Sequence, residues 1–260
     1  MDQDINTDEN LYFALAGEVN EALEIEQVNN KHSGDRLKLI KRGNHYEITV
    51  NGVFLMGTHG GYSEKKVIEE SLFYIDLHKM NARHSGYRFL IAGLGVGYSL
   101  LSAVGDSRVK RVDVVELYQE IIDWNYKYFS PYNHRVIKDS KVHLIHEDIY
   151  AYLQCLAAGE RRSNFDFTSI QYDLIVMDVD NGPDWLVTQG NEKIYHEKGL
   201  RMAKNCLTHG GALVIWSITE NQKLIDALMA VFDWVFIKTY CQKDEKGRTY
   251  KDRAFFSINV

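Results

Sequence analysis

Three glycines in the first half of the chain are spaced so that they could hold the backbone close to a polar ligand. Gly93, Gly95 and Gly97 follow an apolar run that ends at Ala92, and a helix-like segment begins directly after them. Glycine lets a chain turn tightly and lets a ligand approach the main chain, because no Cβ stands in the way. The helix that follows offers backbone N–H groups to the same ligand. The pattern predicts a strand, a binding turn and a helix.

An acid at the end of the next strand indicates what the turn binds. Glu116 lies 19 residues after Gly97, where nucleoside-binding α/β folds place a carboxylate that accepts both hydroxyls of a ribose. The dinucleotide fingerprint is G-x-G-x-x-G, but Tyr98 stands where its third glycine would be. The spacing G-x-G-x-G favours S-adenosylmethionine over NAD as the ligand.

A further acid follows the third predicted strand. Ligands of parallel sheets bind outside the carboxyl ends of the strands, and Asp148 lies just past such an end. We expect Asp148 to accept a hydrogen bond from the adenine amino group and the backbone of Ile149 to meet the ring edge. An alternative stays open, in which Asp148 simply caps the helix that begins at Ile149.

The fourth predicted strand ends in the densest group of polar residues. Asp178 and Asp180 are predicted to be catalytic, and Asp178 also to face the cofactor. An acid there can accept a proton from an attacking amine or stabilise the positive charge that forms. Asn181, Trp185 and Trp216 are predicted to bind the substrate. For the two tryptophans, packing in the core is an equally good interpretation.

Three histidines are candidates for a functional role. His59 and Tyr62 flank two glycines and are predicted to lie over the pocket and bind substrate, although the glycines also suit a plain turn. His143 and His146 are three residues apart on a predicted strand, so their side chains point to opposite faces. No metal site is therefore predicted.

Composition limits the partners and the compartment. The chain has 260 residues, a net charge of −6 and a pI of about 5.9, which argues against nucleic acid as a partner. Its three scattered cysteines fit a reducing compartment and give no disulfide framework. No apolar run is long enough to span a membrane, and no signal peptide is recognisable. We expect a cytoplasmic protein that acts on a small molecule.

Strands and helices alternate from residue 88 to residue 231, which predicts a parallel sheet with helices on both faces. The last two strands, 234–241 and 253–260, are joined by a loop too short for a crossover helix, so they should be antiparallel. The expected fold class is α/β, a Rossmann-like seven-stranded sheet of the methyltransferase type with an antiparallel last strand.

The N-terminal part has a different pattern. Short strands at 37–41, 46–50 and 53–56, with Asn-Gly in the second turn, predict a small antiparallel sheet. Residues 8–28 predict an amphipathic helix. Its apolar stripe must be buried, and two places stay open: over the pocket, or against a second copy of the chain in a homodimer.

These patterns suggest three domains. Residues 1–34 would be an N-terminal helix and linker, 35–62 a small hairpin domain, and 63–260 the cofactor-binding catalytic domain. Ser63 is predicted to cap a helix that runs to about Met80.

With these residues in hand, residues 35–240 resemble the spermidine synthase family, and more closely a divergent bacterial branch labelled spermidine synthase-like. The resemblance rests on the hairpin sheet, the glycine turn, Val-Glu116, a Glu-Asp148 pair and the segment from Tyr172 to Asp178. It implies that Glu116 binds ribose, Asp148 contacts adenine and Asp178 is catalytic. The closer likeness lies in segment 178–183, in Asn191 with Tyr195, and in segment 211–217.

The chain also departs from the family. Spermidine synthases carry an aspartate inside the glycine turn, which holds the amine of decarboxylated adenosylmethionine, whereas this place is Gly95 or a close neighbour here. The family's polar residues after the hairpin are missing from segment 55–66 too. We therefore expect methyl transfer from S-adenosylmethionine to a small molecule, with amines among the acceptors. Aminopropyl transfer from the decarboxylated cofactor is the alternative, and a non-catalytic nucleoside-binding protein is a third.

Overall fold

Tight turns order the N-terminal part of the chain into one antiparallel sheet. The computed structural model describes residues 22–31, 33–79, 86–162, 165–166, 170–188, 190–243 and 249–260. It divides into two units, the first ending at Gly60 and the second beginning at Gly61. The first unit contains four strands in sequential order: β1 (Leu23–Asn29), β2 (Arg36–Arg42), β3 (His45–Val50) and β4 (Val53–Gly57).

The first of these strands corrects a prediction. The sequence predicts that residues 23–28 end a helix, but they belong to β1, which pairs antiparallel with β2 from Leu23↔Lys41 to Asn29↔Arg36. The helical interpretation is wrong there because the hydrogen bonds that β2 supplies outweigh a weak local periodicity. Residues 8–21 of the predicted helix lie outside the described residues.

The second unit alternates helices and strands, as the sequence predicts. Its elements in chain order are α1 (Tyr62–Lys79), β5 (Tyr87–Ala92), α2 (Tyr98–Gly105), β6 (Val109–Glu116), α3 (Gln119–Lys127), α4 (Ser130–Asn133), β7 (Val142–His146), α5 (Ile149–Ala158), β8 (Arg161–Arg162), β9 (Phe165–Asp166), β10 (Tyr172–Met177), α6 (Glu192–Tyr195), α7 (Glu197–Asn205), β11 (Leu207–Ser217), α8 (Gln222–Met229), β12 (Trp234–Lys243) and β13 (Thr249–Ile258).

The seven-stranded sheet has the order β12-β13-β11-β10-β5-β6-β7. The five strands from β11 to β7 run parallel, and β13 is antiparallel to both β11 and β12. The predicted fold class is thus confirmed. From β5 the chain adds β6 and β7 on one side of that strand, and it then adds β10 on the other side. The topological switch point of the sheet therefore lies between β5 and β10. Ligands bind at such a point.

Helices cover both faces of this sheet. Phe255 packs in a cluster with residues of α5, α7 and α8, whereas the next residue, Phe256, lies 5.7 Å from Tyr74 of α1, ring centre to ring centre. Successive residues of a strand point to opposite faces, so α1 lies on the face opposite to α5, α7 and α8. Every residue of β10 is buried, as a strand covered on both faces requires.

In the part of the chain that the structure describes, none of the helices has both the length and the apolar content needed to cross a membrane.

Candidate active site

The glycine turn joins β5 to α2 at the switch point of the sheet. Gly93, Gly95 and Gly97 all have positive φ, at 92°, 50° and 89°. A Cβ added to Gly93 would lie 2.0 Å from the backbone oxygen of Asp178. Only glycine therefore lets the ends of β5 and β10 approach this closely. The predicted strand, turn and helix are present, and three of the five turn positions have no side chain that would obstruct a ligand.

Two buried asparagines hold this turn in place. Asn125 Nδ2 donates to the backbone oxygen of Gly95 at 2.8 Å, and Asn133 Nδ2 donates to that of Val96 at 2.9 Å. Asn133 Nδ2 also lies 2.8 Å from Asn125 Oδ1. Neither residue is among those predicted from the sequence. The sequence does contain one indication for Asn125: asparagine is unfavourable inside a helix such as α3, so its presence there suggests a specific role.

Glu116 lies at the end of β6, next to the turn. It is 5% exposed, its Oε2 accepts from the N–H of Leu94 and its Oε1 from that of Tyr118, both at 2.8 Å. Burial raises the pKa of Glu116, and these amide hydrogen bonds oppose that rise. Each carboxylate oxygen can accept more than one hydrogen bond, so the arrangement fits a nucleoside whose ribose binds here. That role stays a prediction.

Asp148 lies at the neighbouring strand end. The N–H of Glu147 donates to the backbone oxygen of Glu116 at 3.1 Å, which joins the ends of β6 and β7. Asp148 Oδ1 accepts from the N–H of Ala151 at 2.8 Å and caps α5, and Ile149 is buried. The cap that the sequence left open is thus present. Contact of Asp148 and Ile149 with adenine stays a prediction.

Beyond the end of β10, Asp178 lies close enough to two carboxyl groups from distant parts of the chain for their charges to act on it. Asp178 follows that strand, Glu64 comes from the first turn of α1, and Asp252 comes from β13. Ser63 Oγ lies 2.8 Å from Glu64 Oε2 and 2.7 Å from Asp252 Oδ2. A hydroxyl has only one proton to donate. One of these two contacts therefore requires a proton on a carboxyl group.

Neighbouring carboxyl charges add to the raised pKa values of Asp178 and Glu64. Burial raises the pKa of Asp178 well above its ordinary value of 3.8, and the charges of Glu64 and Asp252 raise it further. Burial also raises the pKa of Glu64, and the charge of Asp252 adds to this. Like charges in a poorly solvated place disfavour ionisation, and a bound cation would favour it. The cluster is suited to a positively charged ligand.

Polar side chains on two further strands complete this cluster. Trp216 Nε1 donates to Ser63 Oγ at 3.1 Å, and Gln242 Nε2 donates to Asp252 Oδ2 at 2.9 Å. Ser63, predicted to be a helix cap, instead lies inside α1 with its hydroxyl among the carboxyl groups. Glu64 and Asp252 are not among the residues predicted from the sequence, because nothing local showed that α1 and β13 would bring them to Asp178.

Asp180 holds the loop that follows β10. It is 2% exposed, its Oδ1 accepts from the N–H of Val187 at 2.8 Å, and its Oδ2 accepts from Asn191 Nδ2 at 3.0 Å and Tyr195 Oη at 3.2 Å. Burial raises the pKa of Asp180, and these hydrogen bonds oppose the rise. The contacts support a positioning role in the loop; the predicted catalytic role stays a prediction.

The other predicted substrate residues lie in different places. Asn181 is buried and its backbone oxygen accepts from the N–H of Ile218 at 3.1 Å, and Trp185 is partly buried in the same loop. Tyr62 begins α1 and is 47% exposed. His59 belongs to the first unit, where its ring centre lies 5.8 Å from that of His45. Their contact with substrate stays a prediction.

No group of three or more His, Cys, Asp or Glu side chains arranged to hold a metal ion occurs among the residues that the structure describes. His143 and His146 are both exposed on β7.

Comparison with known proteins identifies the family. The family model described as spermine/spermidine synthase domain matches residues 75–242, which is more than half of the chain. The chain belongs to the spermine/spermidine synthase family. It is thus an enzyme, a transferase that uses S-adenosylmethionine or its decarboxylated form. A comparison with curated protein sequences finds no match.

Solved structures support the same fold. A spermidine synthase in complex with the transition state analogue AdoDATO is similar with a TM-score of 0.66 and 13% identity, over 91% of this chain and 74% of that one. Spermidine synthase from Thermotoga maritima gives a TM-score of 0.65 and 13% identity, over 91% and 73%. Human methyltransferase-like protein 13 in complex with SAH gives 0.55 and 18%, over 75% and 81%.

Proposed function

We propose that this member of the family transfers a methyl group from S-adenosylmethionine to a small amine. The observation that carries the proposal is the cluster of Asp178, Glu64 and Asp252, where two carboxyl groups with raised pKa values lie beside the glycine turn. A bound amine supplies the positive charge that this cluster lacks. The spermidine synthases among the similar structures agree with an amine as acceptor.

Each part of the site has a separate task. The donor supplies a methyl group on a positively charged sulfur. The turn from Gly93 to Gly97 and the carboxylate of Glu116 would bind its nucleoside. Asp178 would accept a proton from the bound ammonium group, because its raised pKa makes the carboxylate a stronger base. The neutral nitrogen would then attack the methyl carbon while the bond from that carbon to sulfur breaks. Most of the rate enhancement would come from positioning the two substrates.

Aminopropyl transfer is the second candidate, and family membership favours it. The residues of the turn, Gly93-Leu-Gly95-Val-Gly97, argue for methyl transfer instead. They include no acid that could bind the terminal ammonium of decarboxylated S-adenosylmethionine. The two reactions leave different nucleosides, S-adenosylhomocysteine after methyl transfer and methylthioadenosine after aminopropyl transfer, so one chromatographic assay separates them.

The deciding experiment supplies either donor with a panel of small mono- and diamines and identifies the nucleoside product. We expect S-adenosylhomocysteine from the wild-type protein, and a loss of at least about a hundredfold in kcat in Asp178→Asn. Methylthioadenosine binding should be unchanged in that variant, and turnover unchanged in Asp226→Asn, which alters an exposed carboxylate.

Methylthioadenosine that forms from the decarboxylated donor only when an amine is present would establish aminopropyl transfer. If the protein binds nucleosides but turns over neither donor, it is a binding protein. Full turnover by Asp178→Asn would remove Asp178 from the mechanism.

A further inference from the structure

A lysine lies against the first residue after the glycine turn. The Nζ of Lys65, in the first turn of α1, is 4.7 Å from the centre of the Tyr98 ring. Gly61 lies against the same ring, since a Cβ there would be 2.2 Å from its Cδ2. The backbone oxygen of Lys65 accepts from Ser102 Oγ of α2 at 3.3 Å. The packing of α1 against α2 thus places the ammonium group against the ring of Tyr98, the residue that follows the turn.

The surroundings of this ammonium group favour a negative charge. Tyr98 begins α2, and Gly97 precedes it with no side chain capping the helix. The N-terminus of a helix carries partial positive charge, and the turn before it has no acid. Glu64 is an acid whose charge acts on Tyr98; burial raises the pKa of Glu64, and the charge of Lys65 lowers it by a smaller amount. Glu64 therefore opposes an anion here less than an exposed glutamate would.

We propose that Lys65 binds the carboxylate of the donor's amino acid group and is the residue that selects S-adenosylmethionine over its decarboxylated form. The inference rests on the proposed function, whose donor it specifies. The intact donor presents a carboxylate at the end of its amino acid arm, and the decarboxylated donor presents only an ammonium group. The ammonium group of Lys65 attracts the carboxylate of the intact donor and repels the ammonium group of the decarboxylated donor. One side chain therefore both favours the intact donor and disfavours the decarboxylated one.

The neighbouring residue provides a matched control. Lys66 has the same charge and follows Lys65 directly, but its Nζ pairs with Glu69 Oε2 at 2.5 Å on the exposed side of α1. A variant at Lys66 changes the net charge and the helix as a variant at Lys65 does, without changing the surroundings of Tyr98.

The experiment is calorimetric titration of three nucleosides into the wild-type protein, Lys65→Met, Lys65→Arg and Lys66→Met. The nucleosides are S-adenosylmethionine, decarboxylated S-adenosylmethionine and methylthioadenosine, which lacks the amino acid arm. We expect the wild-type protein and Lys66→Met to bind the intact donor about ten- to a hundredfold more tightly than the decarboxylated one, as one charge-assisted hydrogen bond provides. Lys65→Met should lose this preference, and Lys65→Arg should keep most of it.

Methylthioadenosine separates the other outcomes. If Lys65→Met binds it as the wild-type protein does, the nucleoside site is intact and any loss concerns the amino acid arm. An unchanged affinity of Lys65→Met for S-adenosylmethionine, or an equal loss for all three nucleosides, would overturn the role of Lys65. Binding of no nucleoside by the wild-type protein would instead contradict the proposed function itself.

Discussion

At the scale of single residues, the candidate site depends on carboxylates whose hydrogen-bond partners give them different tasks. Glu116 receives two backbone N–H groups and Asp180 receives one together with two side chains. Asp178 instead faces other carboxyl groups. A carboxylate surrounded by donors is held in place and stays ionised more readily, whereas one surrounded by acids has a raised pKa and is a stronger base. The first kind positions a backbone, and the second is suited to receive a cation.

A substitution at Glu116 tests the role of a carboxylate that is held by backbone N–H donors. In Glu116→Gln an amide N–H₂ must face either Leu94 N–H or Tyr118 N–H, so a buried donor loses its acceptor at a cost of about 1–3 kcal/mol. We expect this loss in urea denaturation, together with weaker binding of methylthioadenosine. Glu69→Gln changes an exposed carboxylate on α1 and should alter neither. Unchanged nucleoside affinity in Glu116→Gln would contradict the assignment of Glu116 to the ribose.

At the scale of elements, the loop after β10 is fixed at several points. Asp180 binds Val187 and Asn191 within it and Tyr195 in the helix α6 that follows. Thr188 Oγ1 lies 2.6 Å from Tyr118 Oη, which connects the loop to the end of β6. A loop fixed in this way keeps one conformation without the support of a regular helix or strand.

Because Asp180 holds the loop after β10, its removal should loosen that loop locally. In Asp180→Ala three buried donors lose their acceptor, so we expect the segment from 181 to 188 to exchange its amide protons faster, and KM for the acceptor to rise. Hydrogen exchange read by mass spectrometry measures the first effect, and steady-state kinetics the second. Asp184→Ala, which removes exposed hydrogen bonds to Thr219 and Asn221, should have the smaller effect. Equal exchange in the two variants would contradict the special role of Asp180.

The elements also show what the sequence can and cannot predict. The parallel sheet, the glycine turn and the antiparallel final pair follow from local periodicity and from loop length. The meeting of Glu64 with Asp178 and Asp252 does not, because it depends on how α1 and β13 are placed on the sheet. The strand at 23–29 was missed for a similar reason, since its partner β2 decides its conformation.

At the scale of the whole molecule, the buried acids make stability depend on pH. The pKa values of Glu64, Glu116, Asp178 and Asp180 are all raised in the folded protein, with burial as the main cause. The folded state therefore binds protons more tightly than the unfolded chain. This contribution to stability is complete below the ordinary values of 3.8 for Asp and 4.5 for Glu, and is lost as the pH rises through the raised values.

These four acids should consequently stabilise the ligand-free protein more as the pH falls from neutrality toward their ordinary values of 3.8 and 4.5. Burial lowers the pKa of His59, which contributes in the opposite direction. Thermal unfolding at several pH values measures the slope. The double variant Glu64→Gln, Asp178→Asn should flatten it and raise Tm at pH 8, because two repelling buried charges are gone. Glu69→Gln with Asp226→Asn removes two exposed charges and should leave the slope unchanged. An equal slope in the wild-type protein and in the double variant would show that Glu64 and Asp178 do not have raised pKa values in the folded protein, which would contradict the proposed task of the cluster in binding a cation.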